Sequence, residues 1–92
     1  MKITNINGTY QLNCSCGSWI AHWKKFSGHS ITYCPVSSCL NTNLVGAHVR
    51  KANSTDQKWY ICPLCATHNA ATGDLEVGAV TLVSASMSET CG

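Results

Sequence analysis

Seven cysteines and four histidines fall within 92 residues, and several are spaced as metal ligands are spaced. Cys34 and Cys39 bracket the Pro-containing turn CPVSSC, and Cys62, Cys65 and His68 follow one another in CPLCATH. Zinc in a structural site takes four soft or borderline donors in a tetrahedron, most simply as two close pairs that each need only a tight turn to converge. Cys34 and Cys39 make the first pair. For the second, Cys65 and His68 sit three apart, which on the first turn of a helix puts both on one face. Cys62 and Cys65 share that spacing and would make another turn-type pair. The expected ligand set is therefore Cys34, Cys39, Cys65 and His68, with Cys62 as the alternative to His68. Buried small hydrophobes are the competing explanation for such cysteines, and two close pairs around an ordered insert weigh against it.

Cys14, Cys16 and Cys91 remain near the two ends of the chain. If the terminal strands pair, these three sulfurs can meet, and with His22 or His29 they would bind a second zinc. A one-residue cysteine spacing is unusual for a zinc pair and chain ends fray, so free thiols or an adventitious disulfide carry equal weight. His22 stands between Trp19 and Trp23, tryptophans four apart that read more readily as core than as a base-stacking surface.

A metal staple also suits the chain's size. A single domain spanning residues 1–92 leaves no length for a second core, and domains this small often need a disulfide or a metal to offset chain entropy. The odd cysteine count, the close Cys/His spacings and an N-terminus (MKITNINGTYQLN) without an apolar signal-peptide run favour metal in a reducing compartment, hence a cytoplasmic location. Hydrophobic residues make up 45% and charged residues 11%, against roughly 25% charged in an average soluble domain, which disfavours disorder. The net charge of +2 is too small to identify a nucleic-acid binder by itself. No apolar run approaches the roughly 20 residues of a membrane span, so no membrane partner is expected.

The elements that must position these groups follow from pattern. Asn7-Gly8 inside Ile3 to Leu12 favours a short hairpin or edge strand. SWIAHWKKF, from a capping Ser18 to Phe26 before Ser27-Gly28, predicts an amphipathic helix. Ile31 to Tyr33 reads as a brief strand. Leu44 to Val49 and Lys58 to Cys62 flank NSTDQ and predict an antiparallel hairpin; Leu64 to Ala71 suggests a short helix broken at Thr72-Gly73-Asp74, and LEVGAVTLVSAS one or two terminal strands. The fold class is α+β: a zinc knuckle, a β-hairpin and a short helix, with an N-terminal helix and terminal strands.

The succession CPVSSC, GAHV and WYICPLCATHN resembles the zinc-stabilised treble clef of HNH-type (His-Me finger) nucleases, over residues 33–70. The resemblance implies that Cys34, Cys39, Cys65 and His68 hold structural zinc, that His48 stands where the family's general base stands, and that Asn69 stands at the last position of its motif. It also implies DNA or RNA as partner and a divalent cation, Mg²⁺ or Mn²⁺, at the scissile phosphate. Two positions depart from the family pattern: Ala47 replaces the acidic residue before the histidine, and Trp59-Tyr60 lie where its middle Asn is expected. Hydrolysis needs both a base and a cation site; Asn53 and Asp56 at the hairpin tip are candidates to replace the missing carboxylate, and Asn69 is a weak neutral ligand. The expectation is a zinc-binding module that binds nucleic acid or, as a metal-dependent endonuclease, cleaves it. The rivals are a catalytically inactive scaffold for protein interaction and a thiol-based redox or metal sensor built on Cys14, Cys16, Cys62 and Cys91.

Overall fold

The computed structural model describes residues 1–6, 18–52, 55, 58–71 and 73–85. They form one five-stranded antiparallel sheet and two helices, in the order β1 (Lys2–Asn5), α1 (Trp19–Ser27), β2 (Leu44–Lys51), β3 (Tyr60–Cys65), α2 (Ala66–Asn69), β4 (Asp74–Glu76) and β5 (Val83–Ser84). The strand order across the sheet is β4-β1-β2-β3-β5. No helix among the described residues is long and apolar enough to cross a membrane.

The spine is the hairpin of β2 and β3, paired from Leu44 with Cys65 to Val49 with Tyr60. Because side chains alternate across a strand, Ala47, Val49, Cys62 and Leu64 face one side, where with Ile3, Cys34, Cys65 and Val77 they form the larger core. Gly46, His48 and Ile61 face the other side. There Ile61 packs with Trp23 of α1 and Val83 of β5 into a second core.

Helix α1 matches its sequence signals closely. Extended Ser18 caps the N-terminus through a hydrogen bond from the Ala21 N–H to its hydroxyl. Gly28, at φ 71°, takes the left-handed conformation that ends the helix, with its N–H on the Lys24 carbonyl. Lys24 and Lys25 in the last turn suit the helix dipole. The buried Trp23 indole donates to the Thr81 carbonyl at 2.7 Å, so its one polar atom is satisfied inside the core.

Three expectations need correction. Ile31 to Tyr33 form no strand; Ile31 is drawn against the second core instead of pairing in the sheet. Strand β3 runs through Pro63 to Cys65 rather than stopping at Cys62, and α2 is a single turn starting at Ala66. A proline fits there because β5 reaches only Tyr60 and Ile61, leaving the outer flank of β3 open beyond them. Strand β1 pairs with β2 and β4, while the Asn7-Gly8 turn lies outside the described residues. The two terminal strands are present but sit on opposite edges of the sheet, so residues 77–82 cross from one edge to the other.

The tightest contact in the sandwich lies where α1 meets β2. A Cβ on Gly46 would fall onto the backbone of Trp19 and Ile20 and within 2.7 Å of Trp19 Cβ. Neither the strand nor the capped first turn of the helix can yield cheaply. Gly46→Ala is expected to lower stability by about 3 kcal/mol, at the upper end of overpacking costs, and urea unfolding followed by circular dichroism measures it. The same exchange at exposed Gly78, with only the Pro35 carbonyl at 4.0 Å, is expected to cost far less.

Candidate metal centre

The CPVSSC turn folds back on itself through a hydrogen bond from the Cys39 N–H to the Val36 carbonyl at 3.0 Å, with Ser38 in a left-handed conformation at φ 64°. It is held from outside by the segment after β4, where Val36 bridges Val77, Ser37 N–H reaches the Glu76 carbonyl and Gly78 N–H reaches the Pro35 carbonyl. The Cys34 N–H donates to the Asn41 carbonyl at 2.9 Å. These bonds aim both sulfurs of the turn at the end of the β2–β3 hairpin, where β3 delivers Cys65.

Cys65 ends the strand and caps α2, its sulfur accepting the His68 N–H at 3.5 Å. One helical turn later the His68 Nδ1 lies 3.2 Å from Cys65 Sγ and 3.6 Å from Cys34 Sγ, while Cys39 Sγ and Cys65 Sγ are 3.9 Å apart. All four donor atoms lie within 4.8 Å of one another. A tetrahedral zinc with bonds of about 2.3 Å to sulfur and about 2.0 Å to nitrogen sets its donors about 3.8 Å (S···S) and about 3.5 Å (S···N) apart. The two sulfur–nitrogen separations bracket the S···N value, and the Cys39–Cys65 sulfur separation is within about 0.1 Å of the S···S value. Cys34, Cys39, Cys65 and His68 are thus positioned to hold a metal ion, and no coordination position is left over for water or substrate in a four-coordinate centre.

Electrostatics separates the ligands from the bystander. Burial pushes the Cys65 thiol up, but hydrogen bonds from the Asn41 amide, the His68 backbone and ring, and Cys34 outweigh it and bring the thiol down to about 6. Cys34 is raised, chiefly by burial and further by the neighbouring Cys39 and Cys65 sulfurs. Cys62 is fully buried and pushed up to about 12, by burial first and then by the nearby Cys34. It stays a neutral thiol whose S–H donates to the Pro63 carbonyl at 3.7 Å. Of the two alternatives for the fourth ligand, His68 joins the cluster and Cys62 does not.

Two asparagines that the sequence pattern does not mark support this centre. Asn41 supplies both a backbone acceptor for Cys34 and an amide donor to Cys65 Sγ at 3.5 Å. Buried Asn5, on β1, donates through Nδ2 to the His68 carbonyl at 2.7 Å, which also accepts the Ala71 N–H, and to the Ala71 carbonyl at 3.0 Å, tying the end of α2 to the sheet. Neither has ligand chemistry or a spacing relative to the cysteines that would have revealed it.

The remaining expected site residues lie elsewhere. His48 faces α1, packed against Trp19 (ring centroids 4.5 Å apart) and Trp59 (6.0 Å). Burial, and secondarily the charge of His22, lowers its pKa, so the imidazole is held neutral. Asn69 is exposed at the end of α2, on the side of the sheet carrying Asn5 and the metal cluster. The sheet therefore separates His48 from Asn69. His22 is buried in the second core, its Nε2–H donating to the Ser84 carbonyl at 2.9 Å, and His29 is exposed. Cys14, Cys16, Cys91, Asn53 and Asp56 lie outside the described residues. No family model, curated protein or solved structure matches the chain.

Metal removal is the direct test. Binding free energy at a four-ligand centre is comparable with the stability of a domain this small. A strong chelator, or Cys34→Ser, is therefore expected to abolish cooperative thermal unfolding, whereas Cys62→Ala leaves metal content intact. Asn5→Ala is expected to cost about 1–3 kcal/mol by removing the two hydrogen bonds that tie the end of α2 to β1, and to speed metal transfer to a competing chelator.

Proposed function

We propose that this chain is a structural-zinc module of treble-clef type that binds nucleic acid without cutting it. Three sulfurs and one imidazole nitrogen, with every position supplied by protein, are the donor set of a closed structural zinc site. Bound there, zinc would supply cross-linking between the turn, β3 and α2. The order of knuckle, hairpin and helix around these ligands supports the treble-clef reading, and with it the kinship to HNH-type domains.

Charge segregation carries the binding half of the proposal. The two carboxylates among the described residues, Asp74 and Glu76, both sit on β4 at one edge of the sheet. Both are engaged there: Asp74 accepts from the Thr4 hydroxyl, and Glu76 pairs with the N-terminal ammonium at 3.1 Å. Lys2 shares that edge, paired in register with Glu76. Of the other five cations, Arg50 and Lys51 end β2, one strand from β4, with Thr4 between Arg50 and Asp74, whereas Lys24 and Lys25 on α1 and Lys58 ahead of β3 stand on elements that do not pair with β4. Among the described residues, Lys24, Lys25 and Lys58 thus stand apart from the carboxylates and offer a phosphate backbone a positive surface to meet.

Cleavage would need an accessible base beside a cation site. His48 is packed among aromatic rings, Ala47 offers no ligand next to it, and Asn69 lies across the sheet. Binding alone is the reading that agrees with those placements. With three phosphates neutralised, affinity for a short DNA is expected to fall roughly 20–40-fold between about 50 and about 200 mM salt, measured by fluorescence anisotropy on zinc-loaded protein. DNA and RNA are expected to remain intact in Mg²⁺ or Mn²⁺. Cleavage that disappears in His48→Ala would restore the nuclease reading, and absence of all binding would leave a protein-interaction scaffold.

A further inference from the structure

We infer that Trp59 is a stacking platform for an unpaired base, with Arg50 and Lys58 taking the adjoining phosphates, so that the module selects single-stranded nucleic acid; this rests on the nucleic-acid reading above. Trp59 directly precedes β3 and remains 42% exposed, although it is among the largest apolar side chains in the protein. Its ring is held in place rather than loose. It meets His48 at an interplanar angle of 76°, and His48 meets Trp19 at 74°. His48 is thereby a buried neutral wedge between the first residue of α1 and the open indole, with the Trp19 backbone locked onto Gly46 behind it. A ring fixed by packing loses little conformational freedom when it captures a partner.

The charges stand where a backbone would run. Val49 pairs with Tyr60, so the next residues outward, Arg50 and Trp59, leave the hairpin side by side. Arg50 and Lys58 are both exposed, and Lys51 lies with its Nζ 5.0 Å from the Tyr60 ring on the opposite face. Arg50 across the hairpin and Lys58 beside it in sequence thus flank Trp59. Cations flanking an aromatic face are the elements by which proteins hold single strands, whose bases expose π surfaces that a duplex keeps stacked inside. A protein interface would need a contiguous apolar patch. Exposed Leu40 and Val45 instead lie toward the metal end of the hairpin, where Leu44 pairs with Cys65 about 20 Å along the strand from Trp59, and exposed Phe26 lies on the last turn of α1.

The test uses zinc-loaded full chain with two probes, an oligothymidylate of roughly 12 nucleotides, within the usual single-strand site size, and a mixed-sequence duplex of the same length. The single strand is expected to bind more tightly. Trp59→Ala should weaken single-strand binding about tenfold or more while leaving duplex binding and zinc content unchanged. Trp59→Leu keeps apolar packing against His48 but has no π face, and should show the same loss even if the alanine variant misfolds; Trp59→Phe should retain most of the affinity. Duplex preference, or single-strand affinity unchanged in Trp59→Leu, overturns the platform, and the broader reading then survives if binding still falls with salt. Failure of both probes to bind overturns both.

Discussion

Four donor atoms from separate stretches of chain must converge within 4.8 Å, and the convergence of Cys34, Cys39, Cys65 and His68 is the constraint to which the rest of the molecule is fitted. The turn that carries two sulfurs is pinned by the segment following β4, the third sulfur is delivered by the end of β3, and the imidazole by one turn of helix. A single-turn helix has no independent stability. Its persistence here comes from the Cys65 cap at one end and the Asn5 amide at the other. The donor groups thus order the elements that carry them, which is how a chain too small for a large core reaches a defined fold.

Chemistry-bearing residues with local spacing were the most legible part of the sequence. Cys34 with Cys39, and Cys65 with His68, are close enough in sequence for a turn or a helix to dictate their geometry, and the structure gathers them. Helix α1 was legible for a similar reason, since Ser18, the apolar spacing and Gly28 are all local signals. What depended on distant partners was not. Whether Ile31 to Tyr33 could be a strand turned on distant packing, which draws Ile31 against the second core while β5 pairs with Tyr60 and Ile61. Asn5 and Asn41 were invisible because their importance comes from facing the metal centre, not from their own residue type.

His48 shows how position in a motif and position in space can diverge. Strand alternation puts Ala47 toward the metal-bearing side and His48 toward α1, so a shift of one residue would have exchanged a buried wedge for a group beside α2. Burial keeps this imidazole neutral, which suits a ring holding two tryptophans better than one handling protons at a phosphate.

The crossing of residues 77–82 joins the two halves of the protein. At one end Gly78 is bonded to Pro35 inside the metal-binding turn, and at the other the Thr81 carbonyl accepts the Trp23 indole of α1. Those two hydrogen bonds give any slackening of the turn a route of half a dozen residues to the helix on the opposite face of the sheet. Amide hydrogen exchange in α1 becomes a remote gauge of metal occupancy, read from a helix that contributes no ligand to the cluster.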